Sequence, residues 1–332
     1  MNVFITGGTG FIGGHLIPQL ITAGHKITCL VRDKKKGEYL SSQYNVQIVI
    51  GDVTDPVSLE NVNVENIDIV IHMAAMGHVA AATDEAFNKF VAVNEGGTKN
   101  IINIFKKSSR LKRFIHISST AAMGFIGTAV LNEQSLPNPI TPYQNSKYRS
   151  ELIPLSEFER THFPSIILRP CMVYGPGGYG EFYKFCRLMK KGIFPKVGHG
   201  QNLTPLVYVD DVINAIILAI EKGKNGETYI VASDTSIKMD YLRELIMKQI
   251  GTSAPYIFVP SSIALLGARV LEKIYGLIGK DPIVSYQNIK STITDRTFDI
   301  SKIKNELGYR VNTPFELGIK ETICWYKENS KI

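Results

Sequence analysis

Glycines 7, 8, 10 and 13, within Val3-Phe-Ile-Thr-Gly-Gly-Thr-Gly-Phe-Ile-Gly13, constrain this chain more than any other stretch. The run Val3–Ile5 reads as a strand buried on both faces, and the amphipathic Phe11–Ala23 reads as a helix. A strand that turns through glycine into a helix leaves the first helical amides unpaired and facing the space above the turn. Gly7 permits the tight turn and Gly10 lets the backbone approach a diphosphate. Gly13 lets helix pack on strand, and Phe11 and Ile12 open the helix whose amides would meet that diphosphate. The spacing Gly-x-x-Gly-x-x-Gly differs by one residue from the common dinucleotide fingerprint, so its weight comes from its place between strand and helix.

The same rhythm continues downstream. Ile27–Val31, Val46–Ile50, Ile67–Ile71, Phe114–Ile117 and Ile166–Leu168 read as further buried strands, with helices expected over Ala86–Lys107 and Tyr143–Thr161. Thr141-Pro142 supplies an N-cap and a first-turn proline for the last of these, and Pro154 is expected to kink or interrupt it. Alternating strands and helices predict an α/β fold, a doubly wound parallel sheet with helices on both faces. After about residue 175 the rhythm loosens, with glycines clustered at Gly175–Gly180 and helices expected at Asp210–Glu221, Met239–Ile250, Ser261–Ile278 and Pro314–Lys327. The expected organisation is a dinucleotide-binding domain over 1–175, to which about 205–232 return, and a smaller substrate-binding lobe over 176–332.

Net charge is +7, but the excess is scattered over Lys34–Lys36, Lys106–Lys107, Arg110–Arg113 and Lys190–Lys191. Without aromatic interleaving this reads as solvated surface with some taste for anionic ligands, not as a nucleic-acid interface. The four cysteines form no Cys-x-x-Cys pair and two of them sit inside apolar runs, so reduced, buried thiols in a cytoplasmic protein are expected, with neither disulfide nor metal site. Met1–Thr6 has no basic segment of a signal peptide, and Ile257–Ile278 is broken by Arg269, Glu272 and Lys273, so no membrane span is expected.

At the tip of the second strand, where an NAD enzyme usually carries an acidic residue for the ribose hydroxyls, stand Val31 and then Arg32. A guanidinium clamps a 2′-phosphate through two parallel bonds, and Lys36 and its neighbours add attraction, which favours NADP. The alternatives are an ordinary basic loop, or NAD with Asp33 reaching the 2′-hydroxyl. After the third strand, Asp52 is placed to accept from the adenine amino group and the Val53 amide to donate to the ring; alternatively Asp55 caps a helix and Asp52 is merely solvated.

Two Tyr-x-x-x-Lys pairs occur, Tyr143/Lys147 and Tyr286/Lys290, and in a chain with 15 tyrosines the pattern alone decides nothing. On a helix the two heads share a face. Tyr143 follows a well-signalled helix start and Ser118-Ser119 at the end of a strand; Tyr286 has neither, and is read as the decoy. A phenol near pKa 10 is a poor base at neutrality, but the Lys147 ammonium and an oxidised nicotinamide's charge both favour its phenolate. Ser119 would hold the reacting oxygen against Tyr143, and Lys147 would also hold ribose hydroxyls. Together they make a hydride-transfer site.

With these motifs, His72-Met-Ala-Ala75, Asn94 in Val93-Asn-Glu-Gly-Gly-Thr98, Leu168-Arg-Pro-x-x-x-Tyr-Gly-Pro176, Val207-Tyr-Val-Asp-Asp211 and Glu306-Leu-Gly-Tyr309 resemble the extended short-chain dehydrogenases/reductases over nearly the whole chain. The resemblance implies Ala74, Ala75 and Ser118 beside the cofactor, Asn94 supporting the catalytic residues, and backbone from Pro170 to Val173 near the nicotinamide. It also implies a homodimer through the helices expected at Ala86–Lys107 and Tyr143–Thr161.

Within that family, sugar dehydratases carry Asp-Glu directly after the catalytic Ser/Thr, where this chain has Thr120-Ala121. Nucleotide-sugar enzymes usually carry Asn where it has Met172. Both departures, with Arg32, favour the branch similar to dihydroflavonol reductase and 3β-hydroxysteroid dehydrogenase. The expected activity is therefore NADP-dependent hydride transfer to or from a carbonyl or secondary alcohol of a small molecule. A nucleotide-sugar epimerase and a non-catalytic dinucleotide sensor remain the alternatives. Met76, Met123, Phe125, Cys171 and Met172, with the apolar stretches Met73–Ala82 and Ile257–Ile278, are candidates to line the substrate site, although most of these are expected to be plain core.

Overall fold

Strands whose side chains are apolar on both faces need cover on both sides, and this dictates the architecture. In the computed structural model, which describes all residues except 78–83, 125–129, 193–194, 253–256 and 278–284, seven strands form one parallel sheet. They are β1 (Asn2–Thr6), β2 (Lys26–Val31), β3 (Gln47–Ile50), β4 (Ile69–His72), β5 (Arg113–Ile117), β6 (Ser165–Pro170) and β7 (Thr228–Val231), in spatial order β7-β6-β5-β4-β1-β2-β3. Alternation along β1 sends Val3 and Ile5 into a core cluster with Leu16, Ile17 and Ile216, and sends Phe4 into another with Val70, Phe114, Ile101 and Phe105. The strands keep the predicted order but shift at their ends, because ladder hydrogen bonding rather than apolarity alone sets where a strand stops.

Helix α1 (Phe11–Thr22) leaves the glycine turn as expected. Helix α2 (Lys34–Tyr44) has no sequence expectation behind it: Asp33 caps it by accepting from the Lys36 amide, so Lys34–Lys36 open a helix instead of forming a loop. The long helix expected over Ala86–Lys107 divides into α3 (Asp84–Phe90), a π-helical turn over Val91–Gly96, and α4 (Gly97–Phe105). A Cβ on Gly97 would lie 2.7 Å from Val53 Cγ2, so the glycine lets this helix press on the segment after β3. Helix α5 (Pro142–Thr161) opens on a reciprocal capping box between Thr141 and Gln144, and it runs through Pro154 uninterrupted. The proline removes one amide from the ladder, while its own carbonyl accepts from Ser165 Oγ at 3.0 Å.

Beyond β6 come α6 (Glu181–Lys190), α7 (Val209–Lys222), α8 (Met239–Ile250), α9 (Ser261–Leu277), α10 (Tyr286–Ile293), α11 (Ser301–Leu307) and α12 (Phe315–Glu328). Helices α6, α8 and α12 close a third cluster around Tyr174, Phe182, Leu242, Ile319 and Tyr326. Meanwhile β7 completes the sheet beside β6, and Ile300, Ile303, Leu307 and Tyr309 near the C-terminus join the sheet's own core. The expectation that Ile257–Ile278 is mostly plain core fails: Ile257, Phe258, Ile263, Leu266, Val270, Leu271 and Ile274 are exposed. Among the described residues no helix is long and apolar enough to cross a membrane.

Candidate active site

In open parallel sheets ligands bind at the carboxyl ends of the strands where the strand order reverses. Here that crevice lies between β1 and β4, and Thr6 and His72 close the two strands as register partners. The groove above it is lined by Gly7, Thr9, Val31, Arg32, Val53, Ala74 and Ala75, among others. Gly7 has φ +75°, and a Cβ there would come within 2.8 Å of the Ala74 amide; on Gly13 a Cβ would lie 2.3 Å from the Gly8 carbonyl oxygen. Helix α1 begins without a side-chain cap and has no acidic residue in its first turn. Bare amides, a backbone that approaches closely and no competing carboxylate fit the diphosphate of a dinucleotide.

At the β2 tip, Arg32 is well exposed and its Nη1 lies 3.6 Å from Asp52 Oδ2. So exposed a pair holds the guanidinium only weakly. Asp33 is occupied in capping α2. Lys35 and Lys36 border a neighbouring hollow with Gly8, Gly10 and Tyr39. Asp52 is turned inward to its own loop, accepting from both the amide and the hydroxyl of Thr54 at 2.9 Å. Burial opposes its ionisation, but these bonds and Arg32 outweigh it and hold the carboxyl below its ordinary value. Asp55 does accept from the Val57 amide at the head of a short 3₁₀ turn. Val53 is buried, and its carbonyl accepts from Asn100.

On the far side of β4, β5 delivers Ser118 and Ser119 and the capping box of α5 delivers Tyr143 one residue inside the helix. Tyr143 and Ser119 share a hydrogen bond that lowers the phenol's pKa, but burial outweighs it and pushes the phenol up to about 12. Lys147, one turn on, is buried and donates from Nζ to the Ile117 carbonyl at 3.1 Å. Burial lowers its ammonium to about 8, against the opposing pull of Glu151. Glu151 is itself buried and bidentate with Arg169 of β6, at 2.7 Å for the shortest contact. Asn94 sits in the π-helical turn. Its side chain accepts from the Met76 amide at 2.8 Å, donates to the Met76 carbonyl at 3.2 Å, and donates to Ser146 Oγ at 2.8 Å. Ser146 donates in turn to the Tyr143 carbonyl at 2.8 Å.

Ser119 and Tyr143 are thus joined directly and Asn94 reaches Tyr143 through Ser146, with Lys147 one helical turn on and bound to Ile117, while the glycine turn, Arg32, Val53, Ala74 and Ala75 line the groove. Ser118 is buried, its amide donating to Leu168, while its hydroxyl finds no partner among the described residues. Pro170 ends β6, and Val173 lies in a short strand parallel to Leu206–Tyr208. Of the candidate substrate-lining residues, Met123 and Cys171 lie inside the sheet's hydrophobic core, the Cys171 thiol pushed up to about 12 by burial. Met172 is half-buried against the lobe's cluster, Met76 is half-buried with its backbone held by Asn94, and Phe125 and residues 78–82 lie outside the described residues. Tyr286 is engaged elsewhere: its ring lies under Arg269 at 4.5 Å and its amide donates to Glu272. Sequence reasoning gave no role to the side chains behind the site: His72 and Thr98 entered only as parts of motifs, and His116, Ser146 and Ser150 not at all. Their signal, polar residues interrupting apolar strands and one helix face, is visible only once the strands are paired.

The model of the NAD-dependent epimerase/dehydratase family matches residues 3–232. Human dTDP-D-glucose 4,6-dehydratase is 29% identical, covering 99% of this chain and 90% of that protein. The decarboxylating sterol-4-alpha-carboxylate 3-dehydrogenase of Saccharomyces cerevisiae is 27% identical, covering 98% of each. Among solved structures, the UDP-glucose 4-epimerase of Thermotoga maritima with UDP-glucose superimposes with TM-score 0.80 at 25% identity, covering 99% of this chain and 100% of that one. The UDP-glucuronic acid 4-epimerase of Bacillus cereus with NAD gives 0.78 at 23%, covering 99% of both, a likeness of fold. With a glycine turn, a seven-stranded parallel sheet and a family match over more than half its length, the chain belongs to the NAD-dependent epimerase/dehydratase family, the extended short-chain dehydrogenases/reductases, and is a nicotinamide-dinucleotide enzyme.

Proposed function

We propose that the protein is an NADP-dependent oxidoreductase that moves hydride between C4 of the nicotinamide and a carbonyl or secondary alcohol carbon. The observation that carries this reading is the bond between the Tyr143 phenol and Ser119 at the end of β5, with the Lys147 ammonium buried one helical turn away. The bound dinucleotide supplies the hydride donor or acceptor. Ser119 holds the substrate oxygen, and Tyr143 gives or takes the proton at that oxygen. Lys147 anchors ribose hydroxyls and favours the phenolate as it forms. A phenol held near 12 keeps its proton at neutrality, which suits protonation of a carbonyl oxygen and hence reduction. Thr120 and Ala121, directly after Ser119, supply no carboxylate for removing water from a sugar.

For the cofactor's finer identity, the support is an exposed, weakly held Arg32 at the β2 tip with Asp33 committed to its helix. The competing reading, an epimerase using NAD and a nucleotide sugar, is favoured by the likeness to the two UDP-sugar 4-epimerase structures, one of which holds NAD. Ligand-dependent melting separates them. NADPH should raise the melting temperature more than NADH at equal concentration, and a panel of apolar ketones and aldehydes should contain a substrate. Strong stabilisation by UDP- or dTDP-sugars, with NADH matching NADPH, would hand the site to the epimerase.

A further inference from the structure

Two histidines lie side by side in the centre of the sheet. His72 of β4 and His116 of β5 are register partners, both buried, with rings stacked at 5.5 Å and 22°. Neither touches the groove, yet each reaches the helix turn that carries a residue of the proposed site.

The donor assignments follow from the partners. Thr98 Oγ1 lies 2.6 Å from the Asn94 carbonyl, which only accepts, so the hydroxyl donates there. Its contact with His72 Nε2, at 3.1 Å, therefore requires the imidazole to donate. The proton sits on Nε2, so Nδ1 accepts from Thr6 Oγ1 at 2.7 Å, and Thr6 accepts in turn from the Ala74 amide at 3.1 Å. One directed chain runs from the segment after β4, through the end of β1 and His72, to the backbone of Asn94 in its π-helical turn. The second chain repeats the logic. Ser150 Oγ donates to the Lys147 carbonyl at 2.7 Å, so His116 Nε2, 3.1 Å away, donates to Ser150. Its Nδ1 is buried without a partner among the described residues, as suits a bare lone pair.

We infer that His72 and His116 are a pair of positioning residues, both neutral with the proton on Nε2, that fix through Thr98 and Ser150 the helix turns presenting Asn94 and Lys147. An imidazole fixed as a donor leaves each hydroxyl no choice but to point at the helix carbonyl, so strands and helices are locked in one register at these two turns. The chain through Thr6 and Ala74 ties the same lock to the dinucleotide groove. The roles of Asn94 and Lys147 rest on the reaction proposed above, but the hydrogen-bond direction does not.

The test labels the histidines with ¹⁵N. Long-range proton–nitrogen correlation spectra at pH 7 should show both imidazoles in the Nε2–H form, with Thr98→Val perturbing one and Ser150→Ala the other. NADPH affinity, read by fluorescence, should be within about threefold of the parent in His72→Gln and His116→Gln, which keep a donor at the Nε2 position. It should fall about tenfold or more in His72→Phe and His116→Phe, which remove the donor. A merely structural role would lower the melting temperature while leaving the affinity of the folded protein unchanged. If the phenylalanine variants do not fold, Thr98→Val and Ser150→Ala carry the same affinity comparison. Nδ1–H imidazoles, or glutamine and phenylalanine variants (or, in their place, parent and hydroxyl-deleted proteins) of equal NADPH affinity, would overturn the inference. Failure to reduce any carbonyl would sink the proposed reaction and leave these readouts standing.

Discussion

Tyr143 meets two opposing demands: burial holds its proton on, while the proposed chemistry needs that proton to move. Tyr143→Phe should cut turnover by about 10²- to 10⁴-fold and leave NADPH affinity nearly unchanged, as stopped-flow and titration would show. In the parent, reduction should weaken as pH rises through about 8, where Lys147 loses its charge, as initial rates across pH would show. Arg32→Ala should cost about tenfold to a hundredfold in NADPH affinity and little for NADH, since a charge-assisted bond to the 2′-phosphate is lost; equal losses would remove the phosphate assignment. The two stacked histidines set a stability limit. Burial, then the Lys147 charge, holds His72 down to about 3 and His116 well below its ordinary value. Unfolding frees both to protonate near 6.5, so stability present above that pH is lost as acid is added, by about 1.4 kcal/mol per unit per histidine. Urea midpoints should therefore fall between pH 6.5 and 5, and less steeply in His116→Gln. Of all this, Ser119, Tyr143, Lys147 and Arg32 were legible from the sequence because strand-end and helix-start signals bracket them. His72 and His116 were not, because they stack only when β4 lies against β5 and meet Thr98 and Ser150 only when the helices that carry those hydroxyls close on the sheet.

Helix α5 is the element on which the site turns. Its reciprocal cap, with Gln144 accepting from the Thr141 amide at 3.1 Å and Thr141 accepting from the Gln144 amide at 3.2 Å, lies next to Tyr143. Thr141→Ala should cost about 1 kcal/mol in urea denaturation, and should lower kcat more than it raises the KM for NADPH, since the fraying turn bears the phenol. Thr141-Pro142 announced this start in the sequence; Pro154 announced a break that does not occur, since helix α5 carries on past the missing amide. The π-helical turn escaped prediction for a different reason. Val91–Gly96 keeps a helical pattern of apolar residues, and only the hold of Met76 and Ser146 on the Asn94 side chain marks the extra residue. Helix α2 escaped because three lysines at its head run against the helix dipole, a local disadvantage that the Asp33 cap and the burial of Leu40 offset.

At the scale of the molecule, the parallel sheet was legible from its buried strands, while the way the chain returns to it was only partly so. The sequence assigns about 205–232 to the dinucleotide-binding domain, and in the structure β7 pairs with β6. It did not place Ile300, Ile303, Leu307 and Tyr309 in the sheet's core, where the Tyr309 hydroxyl donates to the Ala232 carbonyl at 3.2 Å. Their apolar spacing says that they are buried but not against what. A chain ending at Asp299 should therefore fail to fold as a soluble protein, whereas one cut after Glu328 should melt close to the parent; differential scanning fluorimetry of both decides this. The late return of β7 also shapes synthesis. A nascent chain that has cleared the ribosome only to residue 175 has β6 in place with an open edge, its ladder groups available to any neighbouring extended polypeptide. Completion waits until residues near 309 have emerged from the exit tunnel, so ribosome-associated holdases have most to protect late in translation.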